Sequence, residues 1–186
     1  MDFIYRKPLI YLIYGKTNAG KNVLANIIKE YYQNKNKKVI ITNFTKYLKI
    51  YAQEYLNWDG KDETKPRSFL QQLGTEIIRE KIDPLFHINR TCQDIEIYSY
   101  LFDVIIINDV RIPEEINIIK KKYKNIISIK ILRPDYNNNL TEEQNNHYTE
   151  IALDNYNKWD YTIENKTLDE LKKDTIKILK EINKDE

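Results

Sequence analysis

The sequence contains a single cysteine, Cys92, among its 186 residues. No internal disulfide is possible, and the chain reads as one suited to a reducing, cytosolic compartment. Apolar runs reach only about five to eight residues, far short of the roughly 20 that a membrane-spanning helix needs. Neither sign of charge is in large excess: 30 basic and 28 acidic side chains leave +2, too little for an overall field that gathers nucleic acid or lipid. There is no internal repeat and no linker rich in glycine, serine or proline. The opening stretch from Met1 to Pro8, with Asp2, Arg6 and Lys7, has the pattern of neither a signal peptide nor a transit peptide. His87 and Cys92 fit no metal-ligand spacing and read as structural. A chain of 41% apolar and 31% charged residues is composed like a globular protein, and its length suits one domain, 1–186, with a sizeable core.

Arginine is scarce as well. Only Arg6, Arg67, Arg79, Arg90, Arg111 and Arg133 stand against 24 lysines, so each arginine is a candidate for something other than surface filling. Short β-branched runs alternate with longer helical stretches. Leu9–Tyr14, Lys38–Thr42, Asp103–Asn108, Ile126–Leu132 and Asp160–Ile163 read as strands. Lys21–Gln33, Thr45–Leu56, Pro66–Ile82, Pro113–Lys122 and Thr167–Ile182 read as helices, the last with Thr167 and Glu170 as a capping box. The polar, Asn-rich stretch from Pro134 to Asn146 reads as a loop or short flap. Strands separated by helices predict an α/β, three-layer fold with a central parallel sheet of about five strands.

Between the first strand and the first helix stands Gly15-Lys16-Thr17-Asn18-Ala19-Gly20-Lys21-Asn22, which fits the G-x-x-x-x-G-K phosphate-binding loop in its required context. Backbone amides face one hollow, the helix adds its positive N-terminal end, and Lys21 reaches the β- and γ-phosphates. Two of only four glycines sit at this spacing, so a nucleotide is the expected ligand. The eighth position, usually Ser or Thr, is Asn22, whose amide oxygen can still face Mg²⁺. Either the nucleotide, water and one distant carboxylate hold most of the ion, or metal-dependent transfer is weakened. Asp109, just past the Val104–Asn108 run, occupies the cation-steering position at the C-terminal edge of the sheet. Arg111, two residues on, reads as a bidentate phosphate contact or a surface ion pair.

These motifs resemble the deoxynucleoside monophosphate kinases of bacteriophages and their bacterial relatives, within the adenylate-kinase-like P-loop kinases. The glycine loop, Arg67-Ser-Phe-Leu-Gln-Gln-Leu-Gly-Thr-Glu76 with Arg79, and Asp109-Val-Arg-Ile-Pro113 carry the likeness. Arg133, His147-Tyr-Thr-Glu150 and Asp160-Tyr-Thr-Ile-Glu-Asn165 extend it, so it spans about residues 9 to 171. The resemblance implies transfer of the ATP γ-phosphoryl to a nucleoside monophosphate, with Mg²⁺. It also implies an acceptor-binding insertion over about 44–101 and a lid over about 133–150. Lys21, Asp109, Arg111 and Arg133 would then serve the transfer. Arg67, Gln71, Arg79 and Arg111, with Lys46, would meet the acceptor, and Asn165 the adenine of ATP. Departures are Asn22 for Asp, Ile112 for Phe, Thr149 for Ser, and Thr45-Lys46-Tyr47-Leu48-Lys49 for an Asp-Pro-Leu-Lys element.

Tyr47, Tyr51 and Tyr55 form a one-sided stripe read as packing, with Phe44 or Tyr47 the candidate to stack on an acceptor base. His147 reads equally as a helix cap or a substrate contact, and Glu150 as the holder of a flap arginine or as a substrate contact. Rival functions are a P-loop kinase for another phosphorylated small molecule, such as a phosphomevalonate- or dephospho-coenzyme-A-like acceptor, and an ATP-binding module without catalysis. Nucleotide partners are expected, with no nucleic acid and no membrane, in a monomer or homodimer.

Overall fold

The computed structural model describes residues 3–134 and 140–183. Five strands form one parallel sheet in the order β2-β3-β1-β4-β5, made of β1 (Leu9–Tyr14), β2 (Val39–Thr42), β3 (Val104–Ile107), β4 (Ile126–Leu132) and β5 (Tyr161–Glu164). The central strand β1 pairs Leu12 with Ile107 of β3 and with Ser128 of β4. Side chains alternate across the sheet, so each strand supplies two cores. Tyr11, Ile13, Val104 and Ile106 face one layer, and Ile10, Leu12, Ile105 and Ile107 face the other. That is why β3 is an unbroken β-branched run, as a strand covered on both sides must be.

Helix α1 (Lys21–Gln33) lays Leu24, Ala25 and Ile28 on the first face beside α8 (Leu168–Ile182), which supplies Leu171 and Leu179. Helices α4 (Phe86–Tyr98) and α5 (Pro113–Lys122) cover the second face with Ile88, Ile95, Ile116 and Ile119. Fully burying such a side chain contributes about 1.5–3 kcal/mol. The loops leaving β1 and β3 therefore depart to opposite faces, and a crevice opens between them at the C-terminal edge of the sheet.

The segment read as one helix over Pro66–Ile82 divides. It begins as α3 (Arg67–Gln72) and continues as a π-helix, Leu73–Ile82. Gly74 sits where an added Cβ would lie 2.8 Å from Leu48 Cδ1 of α2 (Lys46–Leu56). Helix α4 is absent from the sequence reading. Of the stretch read as a loop or flap, residues 135–139 lie outside the described residues. Beyond them Thr141 caps a short helix, α6 (Glu142–Asn146), accepting from the Gln144 N–H at 3.2 Å, and α7 (Tyr148–Ile151) follows. Among the described residues no helix is long and apolar enough to cross a membrane.

Candidate active site

The glycine loop sits at the mouth of the crevice, and its shape follows from where it must turn. Gly20 has φ of +103°, and a Cβ there would lie 2.5 Å from Asn165 Nδ2. A Cβ on Gly15 would lie 2.8 Å from the Ile131 carbonyl oxygen. Both positions thus require glycine, one for conformation and one for closeness to β4. Lys21 folds back over the loop and donates to the carbonyls of Gly15 at 2.7 Å and Lys16 at 2.8 Å. Burial and the nearby Arg111 lower its ammonium to about 7. Asn165 donates to the Ala19 carbonyl at 2.9 Å and Arg133 to the Asn18 carbonyl at 3.3 Å, so both brace the loop from outside. Lys16 turns away from the crevice and bonds the Glu150 carbonyl and Asp154.

A cavity of about 430 Å³ opens beside the loop. Thr17, Asn18, Lys21 and Asn22 form its loop wall, and Asp109 and Arg111 its floor. Arg67, Gln71 and Arg79 enter from α3 and the π-helix, and His147 and Glu150 from the α6–α7 side. The structure thus gathers most of the sequence-predicted residues at one place.

Arg133, Lys16 and Asn165 stand outside that lining, with Gly15, Ala19 and Gly20, and two of the expected acceptor contacts are not brought there either. Phe44 is fully buried in the core, so its ring offers no face to a base. Lys46 points away from the cavity, to Asp94 and the Tyr98 hydroxyl at 2.9 Å each. Tyr47 also stays outside, donating to Asp94 under the Arg90 guanidinium. In their place Trp58, Leu48 and Leu70 provide apolar wall, and Lys49 and Lys65 provide charge. Lys49 lies one turn after Lys46 on α2, close to the same helical face, so spacing does not separate the two lysines and only their tertiary surroundings do. Burial and the neighbouring Lys49, Arg67 and Arg111 lower the Lys65 ammonium.

Two arginines on the cavity wall are held by carboxylates. Arg111 Nη1 donates to Glu150 Oε1 at 2.5 Å, and Arg79 Nη2 to Glu115 Oε1 at 3.1 Å. Burial pushes the Glu115 carboxyl up to about 7, against the pull of Arg79. His147 caps α7, its Nδ1 accepting from the Thr149 N–H, while it also lines the cavity. Buried His87 is lowered to about 4 by desolvation and Arg79, so its neutral ring places Nε2–H against the Gly74 carbonyl, 3.4 Å away.

The residues at the expected cation position offer hard oxygens. Asn22 Oδ1 accepts from Asn108 Nδ2 at 2.8 Å. Asp109 Oδ1 accepts from the Phe44 N–H at 2.7 Å, and Oδ2 from the Thr45 hydroxyl at 2.6 Å and N–H at 3.2 Å. Thr45 takes both lone pairs of Oδ2, whereas Asp109 Oδ1 and Asn22 Oδ1 each keep one, and those two oxygens fit Mg²⁺, which takes one or two protein oxygens beside phosphate and water. Among the described residues no three His, Cys, Asp or Glu side chains gather to hold an ion alone.

The fold is similar to that of solved P-loop kinases. A cysteine-to-alanine mutant of the Mycobacterium tuberculosis APS kinase CysC superposes with a TM-score of 0.53 at 10% identity, covering 94% of this chain and 98% of its own. The same kinase in complex with AMPPNP and APS gives 0.55, with the same identity and coverage. No curated protein matches the sequence. The pattern of the family described as deoxynucleotide monophosphate kinase matches residues 29–175, from within α1 to within α8, and so takes in every cavity wall except the glycine loop. With most of its length matched and the P-loop kinase fold around the crevice, the chain belongs to the deoxynucleotide monophosphate kinase family.

Proposed function

We propose that this protein is a nucleoside or deoxynucleoside monophosphate kinase, passing the ATP γ-phosphoryl to the phosphate of a (d)NMP. One observation carries the reading: Lys21, Lys49, Lys65, Arg67, Arg79 and Arg111 converge on a single cavity beside the glycine loop, against only Asp62, Asp109 and Glu150. Such an excess of cations suits two phosphorylated ligands meeting head to head. The attacking acceptor oxygen is already anionic, so no general base is needed and positioning with charge neutralisation suffices.

In this reading the loop amides and Lys21 hold the ATP phosphates, and Asn165 and Arg133 keep the loop in shape near the adenine. Residues 44–101 form the acceptor-binding segment and 133–150 the lid, within one domain. Arg67 and Arg79 hold the acceptor, Arg111 stands between donor and acceptor, and Gln71, Thr75 and Trp58 meet the nucleoside. Asn22 and Asp109 would hold Mg²⁺, which when bound neutralises the β- and γ-phosphate oxygens. Within the chain, Arg111 approaches the reacting phosphoryl while Glu150 fixes one edge of its guanidinium.

A coupled assay with ATP and Mg²⁺ over a panel of (d)NMPs tests the proposal, and turnover of at least one is expected. Turnover only of a non-nucleotide phosphate ester reassigns the acceptor; ATP binding with no transfer to any acceptor rejects the kinase reading. The two lysines of α2 give a sharper check. Lys49→Met is expected to raise the acceptor KM about tenfold, the worth of one charge-assisted contact. Lys46→Met leaves that KM alone and instead costs about 1–3 kcal/mol in denaturant unfolding, because Asp94 stays buried without its cation.

A further inference from the structure

Glu115, in the first turn of α5, is fully buried and has no part in the mechanism above. Its two oxygens are divided. Oε2 accepts the backbone N–H of Arg111 at 2.6 Å and that of Ile112 at 3.3 Å, and Oε1 accepts Arg79 Nη2 at 3.1 Å. The bonds to Oε2 cap the start of α5 as the glutamate of a capping box does, although Ile112 has no side-chain oxygen to return the bond. A capping box, however, needs an oxygen and not a charge, and glutamine serves it as well as glutamate. A carboxylate buried only to cap a helix would pay for its desolvation with nothing in return.

The negative charge is directed at Arg79. That side chain is 13% exposed, comes from the π-helix, and lines the same cavity as Arg111, which comes from the loop after β3. These two parts of the chain are 32 residues apart in sequence, and the Glu115 carboxylate touches both. One oxygen fixes the guanidinium of Arg79, and the other fixes the backbone from which Arg111 projects. The Arg79 guanidinium and the backbone at Arg111 are therefore joined through one rigid planar group.

We propose that Glu115 is a positioning residue of the phosphoryl-transfer site, a bracket holding Arg79 and Arg111 at the separation at which one acceptor phosphate meets both. The inference rests on the kinase reading above and deepens it. Glu150, the carboxylate on the side chain of Arg111, completes the arrangement: each guanidinium has one edge tied to an acid, and its remaining donors stay available to an anion.

Glu115→Gln separates the bracket from the cap, because the amide oxygen still accepts the Arg111 and Ile112 N–H groups while the charge facing Arg79 is gone. With ATP and a nucleotide that the unaltered protein phosphorylates, Glu115→Gln is expected to raise the acceptor KM roughly ten- to hundredfold. The ATP KM stays within about twofold, as for a site the change does not touch. Introduced into Arg79→Gln, the same change adds little further, since both act through one pair. An unchanged acceptor KM, an equal rise in both KM values, or full additivity with Arg79→Gln overturns the bracket. If the unaltered protein phosphorylates no nucleotide, the kinase reading fails on its own, and the bracket is judged by the thermal shift that inorganic phosphate produces. Glu115→Gln should reduce that shift, and an equal shift in both proteins overturns it.

Discussion

Lys21→Ala is expected to lower phosphoryl transfer by about a thousandfold while the protein stays folded, the order of loss seen when a preorganised cation or donor is removed from a developing charge. The side chain contributes no packing to either core. Its ammonium lies over the loop on the carbonyls of Gly15 and Lys16, ready to exchange them for phosphate oxygens. Steady-state rates with saturating nucleotide, beside a denaturation curve, check both halves of the expectation. A variant that keeps its activity would remove the loop from the mechanism altogether.

The same residue gives the site a pH signature. Burial and Arg111 hold Lys21 at about 7, below the ordinary lysine value of 10.5. Sign and window follow from linkage. The unfolded chain keeps this proton up to about 10.5, whereas the folded chain releases it from about 7, so the residue costs the fold stability below 7 and the cost fades as pH rises between the two values. An arriving polyphosphate restores the proton. ATP binding at pH 8 should therefore take up close to one proton, read by calorimetry in buffers of different ionisation enthalpy, and Lys21→Ala should take up almost none. At pH 6 the uptake assigned to Lys21 should vanish, because the ammonium is already charged.

How far this site was legible in the sequence depends on what each residue's role rests on. The five strands and the glycine loop rest on local signals. A β-branched run such as Val104–Ile107 suits a doubly covered strand, and a glycine pair between strand and helix has few other uses. The family likeness read from Arg67–Glu76 and Asp109–Pro113 agrees with the family match over residues 29–175. The π-helix was not legible, because Leu70, Leu73 and Ile77 recur at the three- and four-residue spacing of an α-helix and the wider turn depends on packing around Gly74. Helix α4 does carry a local signal, since Ile88, Cys92 and Ile95 recur at helical spacing and are buried. Lys49 against Lys46, and Trp58 against Phe44, turn on which neighbours each side chain meets, and that is set by tertiary contacts. Glu115 looks like an ordinary capping glutamate until Arg79, distant in sequence, is seen against it.

Asp109→Asn should cost both stability and rate, because the structure gives this carboxylate a second task beside the cation-steering one read from its position. Both of its oxygens hold the junction from which α2 departs, taking the N–H groups of Phe44 and Thr45 and the Thr45 hydroxyl. Phe44 is locked in the core at that point, so the junction is anchored on one side by packing and on the other by Asp109. An asparagine cannot accept at both ends. Its amide must face a donor, and one buried N–H is left without a partner, at a cost of about 1–3 kcal/mol. For a chain of this length that lowers Tm by roughly 2–4 °C per kcal/mol. The helix carrying Lys49 and the wall at Leu48 then lose their fixed relation to the glycine loop, and the negative charge beside Lys21 goes as well. Transfer efficiency is expected to fall by about a hundredfold or more, with a higher Mg²⁺ requirement. Thermal melts beside a Mg²⁺ titration of the rate separate the tasks. A lower rate with unchanged Tm leaves only the steering of a cation, whereas a lower Tm with an unchanged Mg²⁺ requirement leaves only the tie between sheet and helix.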